Sequence, residues 1–231
     1  MPEKETPIKR VVIACRVMEQ ELNALLPECP ADVCLDLRFM DQQLHRTPDR
    51  MPAIIQNEID HVADAADEIL LGYGLCSNGI VGVYAPRQYL YVPLVHDCVA
   101  LMLGSRAAYN KAFRERVGTY YITPGWVREE KDPLGILEND YIPRMGREDA
   151  VWGLNEELKH YSHIALINTQ VTEVESLRER ARENASFLDK KYTEIKGSRE
   201  YFRKILFGPY EAPDFLCLPP GTPVTQRPFL L

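Results

Sequence analysis

Two stretches of this chain are apolar almost from end to end and then stop abruptly. Residues 68–73 and 89–95 have the length and the Val/Ile/Leu content of strands buried on both faces, as parallel strands are. Each stops in residues whose chemistry is not packing. The first runs into Gly72-Tyr73-Gly74-Leu75-Cys76-Ser77-Asn78-Gly79, the second into His96-Asp97-Cys98. A third apolar run, 9–14, ends at Cys15. Ligands of open α/β sheets sit beyond the carboxyl ends of the strands, so three thiols and an imidazole fall where a site belongs.

Helical spacing follows the apolar runs. Val17, Met18, Leu22, Leu25 and Leu26 come after the first and stop at Pro27. A second strand at 33–39 leads through Thr47-Pro48, which fits an N-cap and first helical residue, into a helix carrying Met51, Ile54, Ile55, Ile59 and Val62. Val99, Met102, Leu103, Tyr109 and Phe113 predict one helix over 98–116. Its interior Gly104-Ser105 is a propensity fault of about 1 kcal/mol against alanine, the mark of close approach by backbone or ligand. Strands at 118–122, 163–168, 193–196 and 214–218 alternate with helices at 148–161, 171–192 and 198–207. This alternation predicts an α/β fold: a doubly wound, mainly parallel sheet with helices on both faces, Rossmann-like, loosely doubled into two halves. The expected divisions are a flexible lead-in at 1–9, a first half at 10–122 and a lid-like excursion at 123–147 broken by Pro133, Gly135, Pro143 and Gly146. A second half at 148–219 and an irregular tail at 220–231 complete them.

Net charge of −7 argues against a nucleic-acid partner. No apolar run approaches the ~20 residues that span a bilayer, and no signal-type segment follows the amino terminus, so the expected location is the cytoplasm. In that compartment six cysteines point to metal binding or catalysis rather than to disulfides. Cys34 and Cys217 lie in strand patterns and read as small buried hydrophobes; Cys29, in Pro-Glu-Cys-Pro, reads as incidental.

Cys15, Cys76 and Cys98 end three strands and converge if those strands are neighbours. Thiols with imidazole form the ligand set of zinc or of an iron–sulfur cluster, and three protein ligands leave one position open. His96, two residues before Cys98, shares its face on an extended backbone. His45 follows the second strand on the same edge. Either histidine serves as fourth ligand or acid/base, with Asp97 beside His96. No CxxC or HxxxH spacing supports the cluster, and the opposing reading is three buried thiols with His96 bonded to Asp97 or to backbone. A further reading makes Cys76 a nucleophile with His96 as base, its pKa lowered by loop N–H groups. The loop is not a dinucleotide fingerprint, because Gly72 and Gly74 are followed only by Gly79. A small-molecule substrate is expected against Tyr73, Gly74, Asn78, Gly104 and Ser105. Tyr120 and Trp126 form its apolar wall, or else plain core, and the 123–147 excursion covers it.

Several strings together resemble the domain-of-unknown-function 1638 family. They are Cys15 followed by Glu21-Leu22, Leu44-His45, Tyr-Gly-Leu-Cys-Ser-Asn-Gly at 73–79, His-Asp-Cys at 96–98 and Leu-Gly-Ser at 103–105. Gly-Thr-Tyr-Tyr-Ile-Thr-Pro-Gly-Trp at 118–126 and Pro-Pro-Gly at 219–221 complete the set. The resemblance implies a protein of anaerobic bacteria and archaea, some of whose relatives accompany corrinoid methyltransferase genes, and it supplies no activity. It implies thiol or methyl-group chemistry in one-carbon metabolism and a corrinoid-system protein as partner. A non-catalytic ligand-binding accessory of such a system is the alternative. Ala14-Cys15-Arg16 departs from the family's Ala-Cys-Gly, which removes the freedom for close backbone approach at residue 16.

Overall fold

The structure, a computed structural model, describes residues 6–171 and 173–230. In the first unit β1 (Ile8–Cys15) is buried from Arg10 onward and lies between β2 (Val33–Met40) and β3 (Glu68–Gly72), parallel to both. β4 (Leu90–Pro93) continues the parallel set beyond β3. Between these strands run α1 (Glu19–Asn23) and α2 (Met51–Val62), and α3 (Cys98–Leu103) follows β4. α2 buries Met51, Ile55, Ile59 and Val62 at helical spacing, while Ile54 is 37% exposed.

The second unit holds α4 (Arg106–Glu115) from Ala107 onward, β5 (Thr119–Ile122), α5 (Pro124–Arg128), α6 (Pro133–Ile136), α7 (Ile142–Met145), α8 (Arg147–Leu158), β6 (His163–Asn168), α9 (Val174–Phe187) and β7 (Lys191–Lys196). Its three strands are parallel in the order β5-β6-β7. The chain then returns to the first unit with α10 (Glu200–Phe207) and β8 (Phe215–Leu218), which pairs antiparallel with β4. The first sheet therefore reads β2-β1-β3-β4-β8. The fold is α/β, mainly parallel and Rossmann-like, as the alternation of runs predicts.

The units divide differently from the expected halves. One comprises the chain up to Arg106 together with the chain from Arg199, and the other is Ala107–Ser198. The last strand pairs with β4 and draws the end of the chain into the first core. Nor is 123–147 a detached excursion. Leu134 and Leu137 are buried in the second core with Ile122, Leu154, Ile164 and Leu166. Pro133 opens α6, where a helix needs no N–H donor, and Pro143 lies just after a π-helical turn, Leu137–Tyr141, that joins α6 to α7, so neither proline breaks the segment.

Other expectations shift for local reasons. The helix over 98–116 is two helices, because Gly104 adopts a left-handed conformation (φ 85) and ends α3. Thr47 makes no side-chain cap bond; Pro48–Arg50 forms a 3-10 turn before α2. Cys34 and Cys217 are exposed, since both lie on the edge strands β2 and β8. The tail is held rather than loose: Val224 and Phe229 are buried, and Val224 N donates to Val83 O at 2.8 Å. Residues 1–5 of the expected lead-in, Thr172 of the helix at 171–192 and Leu231 of the tail lie outside the described residues. Among the described residues no helix is long and apolar enough to cross a membrane.

Candidate functional site

In the first sheet the chain winds one way from β1 to β2 and the other way through β3 to β4. The winding reverses between β1 and β3, and the crevice beyond their carboxyl ends is where such sheets bind ligands. Cys15 is the last residue of β1 and Tyr73 the first after β3, each one step beyond the paired Ala14 and Gly72. A Cβ at residue 72 would stand 2.5 Å from the Cβ of Ala14, so only glycine lets the two strand ends approach this closely.

The loop after β3 is fastened to the loop after β4. Leu75 N donates to Val95 O and Cys76 N to His96 O, both at 2.9 Å. A Cβ on Gly74 would lie 2.7 Å from Asp97 N and 2.9 Å from Val95 O. Gly74 thus admits the neighbouring backbone. Cys76, Ser77 and Asn78 then follow with φ of 47°, 55° and 69°. Three consecutive non-glycine residues in the left-handed region cost about 1–2 kcal/mol each, less for asparagine. Strain of this kind persists where surrounding contacts enforce it, and it collects at functional sites.

The three thiols are buried: Cys15 is 1% exposed, Cys76 and Cys98 each 8%. Burial pushes the Cys76 and Cys98 thiols well up, and Asp97 and the other thiols of the trio push them further. Desolvation outweighs the loop's N–H groups, so the expected lowering of the Cys76 pKa does not occur. Tyr73 is 1% exposed, and its hydroxyl has no hydrogen-bond partner. Its pKa is raised first by burial and then by Cys15, Cys76, Cys98 and Asp41, so the hydroxyl lies in the field of all three thiols.

His45 belongs to a 3-10 turn, Gln42–Arg46, that Asp41 caps by accepting from Gln43 N at 2.8 Å. Its ring centroid is 6.2 Å from that of Tyr73. Burial lowers its pKa, which leaves a neutral imidazole at pH 7. Gln42 Oε1, in the same turn, is also buried without a hydrogen-bond partner. His96, by contrast, is exposed. The backbone bends at 95–97 instead of running extended, so His96 and Cys98 do not share a face. Asp97 caps α3 by accepting from Val99 N at 2.9 Å. The pairing of a Cys76 nucleophile with a His96 base therefore lacks both an acidified thiol and a buried base.

Asn78 is exposed at the strained turn, and Gly104 and Ser105 are half-buried at the junction of α3 and α4. Tyr120 and Trp126 belong to the second unit, with ring centroids 6.0 Å apart; Tyr120 also packs edge-on against Tyr161 at 5.6 Å. There Tyr120 packs against the second core, and Trp126 contacts it through the Tyr120 ring. A groove of about 790 Å³ in the second unit, between Leu134, Ile142 and Phe187, has neither cysteine nor histidine in its wall. Among the described residues no three His, Cys, Asp or Glu side chains are gathered closely enough to hold a metal ion as they stand. The orphaned Tyr73 hydroxyl and Gln42 carbonyl oxygen were not legible beforehand; the only signals were a tyrosine between two glycines and an unusually polar stretch after β2.

The family described as Protein of unknown function (DUF1638) matches residues 39–206. That span includes His45, Tyr73, Cys76 and Cys98 and leaves Cys15 outside. No curated protein and no solved structure matches the chain significantly. With well over half of its length matched, the chain belongs to this family of proteins of unknown function.

Proposed function

We propose that the protein is a metal-dependent cytoplasmic enzyme acting on a small molecule, with Cys15, Cys76 and Cys98 as thiolate ligands to zinc or to an iron–sulfur cluster. Its reaction class is thiol or methyl-group chemistry in anaerobic one-carbon metabolism. The observation that carries this reading is electrostatic. Three buried thiols lie beyond the strand ends at the switch point of the sheet, and every charged neighbour that shifts Cys76, Cys98 or Tyr73 is anionic or becomes so on ionising. Such thiols stay protonated unless a cation compensates them, and a soft divalent metal is the cation that thiolates select. Three protein ligands would leave a coordination position for an incoming thiol or water, whose pKa the metal lowers. His45, neutral and near the trio through Tyr73, is the better-placed acid/base group; the exposed His96 is the weaker one.

Anaerobic purification followed by metal analysis and a visible spectrum tests the reading. About one metal site per chain, lost in Cys76→Ser, is the expected result. Sub-stoichiometric metal that is unchanged in Cys76→Ser overturns it. A second reading, a non-catalytic accessory of a corrinoid methyltransferase system, draws on the side chains not being gathered for metal as they stand. Turnover of a substrate by the purified protein alone excludes it.

A further inference from the structure

Cys29 and Cys34 flank a tight turn where the chain enters β2. Val33 N donates to Pro30 O at 3.1 Å and closes the turn over residues 30–33. Cys29 precedes the turn in an extended conformation (φ −63°, ψ 127°), and Cys34 follows it inside the strand. Ile8 N donates to Asp32 O at 2.9 Å, so Asp32 O faces β1 and the polar groups of Val33 face the outer border of the sheet. Pro30 has no N–H to offer Val33 O in return. The Cys29 thiol takes that acceptor at 3.5 Å, and so rests against the peptide that joins Val33 to Cys34. Extended residues just outside a turn closed in this way form a non-hydrogen-bonded pair, with Cα atoms about 4.5 Å apart and side chains on one face. A disulfide spans Cα separations of about 4.4–6.8 Å.

Both thiols are open to small molecules. Cys34 is exposed on the edge strand and lines a cavity of about 240 Å³ with Lys9, Arg38 and His61, while Cys29 is half-buried. The pair lies apart from the buried trio: Cys34 stands in register with Lys9 at the start of β1, whereas Cys15 ends that strand. We propose that Cys29 and Cys34 form a reversible modification site for low-molecular-weight disulfides of the glutathione class, which oxidise the pair to an intramolecular disulfide. The Cys34 thiolate attacks one sulfur of the small disulfide, forms a mixed disulfide and expels one thiolate. The Cys29 thiolate then attacks the Cys34 sulfur, closes the ring and expels the second. Two protein thiols give up their protons to the two leaving thiolates, and the small disulfide is reduced to two thiols. Burial pushes the Cys29 thiol up, which makes the exposed Cys34 the first to react. The cross-link ties the outer border of β2 to the segment before it. The proposal is independent of the metal reading and stands or falls without it.

The test equilibrates the full, freshly reduced chain anaerobically with glutathione and glutathione disulfide, followed by acid quenching, alkylation and trypsin. Cys29 and Cys34 share the peptide 17–38, which holds no other cysteine. That peptide is expected to appear unalkylated and lighter by two hydrogen atoms. The same titration in concentrated urea reads the unfolded chain. The folded protein is expected to form the disulfide with an equilibrium constant about tenfold higher, the gain from a pair already held face to face. An equilibrium constant equal to or below that of the unfolded chain overturns the proposal. So does a folded protein in which Cys34 stops as a mixed disulfide with glutathione while Cys29 remains alkylatable. Cys29→Ser is expected to stop at that mixed disulfide. A Cys29→Ser protein whose Cys34 takes up no glutathione also overturns the proposal, because the exposed thiol would not be the point of entry.

Discussion

The strands β1 and β3 begin and end in opposite electrostatic conditions. At their start Arg10, with a side chain 7% exposed, holds Glu68 through Nη2 at 2.7 Å and Nε at 2.8 Å. The same guanidinium donates to Leu206 O at 2.7 Å and lies over the Tyr210 ring, 5.0 Å from its centre. Its charge is matched and its donors are used. Five residues further along β1, roughly 17 Å away, stands Cys15. There an unbonded tyrosine hydroxyl lies in the field of three thiols and of Asp41, none of which supplies positive charge. A completed buried network holds a fold together by itself, whereas an incomplete one in the same strands is where another molecule must contribute.

The largest way to break the comparison is at the completed end. Arg10→Met keeps the apolar bulk but leaves Glu68 without its counter-charge and Leu206 O without its donor. We expect a loss of about 2–4 kcal/mol in urea denaturation. A loss under ~0.5 kcal/mol would mean that the ion pair is incidental and the contrast between the two ends empty.

The pH dependence sharpens the other end. Folding raises the pKa of Cys76 and Cys98 above that of the unfolded chain, ~8.5 for an ordinary thiol. The stability this contributes is fully present below that pH and is lost as pH rises above it. The slope is up to ~1.4 kcal/mol per pH unit for each thiol. Denaturation of the metal-free protein between about pH 8.5 and 10 measures it, and Cys76→Ser is expected to shallow the slope. Zn²⁺ is expected to reverse the trend, since metal displaces the thiol protons more readily as pH rises. A flat profile without metal would contradict the burial argument.

The smallest effect concerns the strained turn. Ser77 is exposed at φ 55° between two other left-handed residues. Glycine there relieves the strain and adds some unfolded-chain entropy, so Ser77→Gly is expected to gain about 0.5–1 kcal/mol in thermal denaturation. A loss of stability would show that the serine side chain, not the backbone shape, is what the turn requires.

How far the chain could be read in advance follows from where each signal is stored. The runs that became β1, β3 and β6 are apolar because both their faces are covered, and that property is local to the string. Gly104 was conspicuous as a fault, but whether a glycine kinks, admits a ligand or ends a helix depends on the φ that its neighbours impose. The four residues of β8 match any strand slot, and their pairing with β4 is a contact over more than a hundred residues that no local pattern encodes. Of the three thiols expected to end strands, Cys15 ends β1, while Cys76 lies in the loop four residues beyond β3 and Cys98 opens α3. Their protonation was misjudged, since a loop rich in N–H groups is visible in the string and desolvation is not. His45 and His96 were indistinguishable for the same reason: one turns against Tyr73 and the other to solvent.

The return of the chain to complete its first sheet has a consequence during synthesis. When β4 leaves the ribosome, its outer partner β8 is still about 120 residues from being made. At ~5–20 residues per second the outer border of β4 stays open for roughly 6–24 s, long enough for an unpaired strand to find a wrong neighbour. A message cut short between codons 98 and 215 makes that interval permanent. The products of such truncation should accumulate on chaperones or in aggregates, although every cysteine of the trio has already been translated.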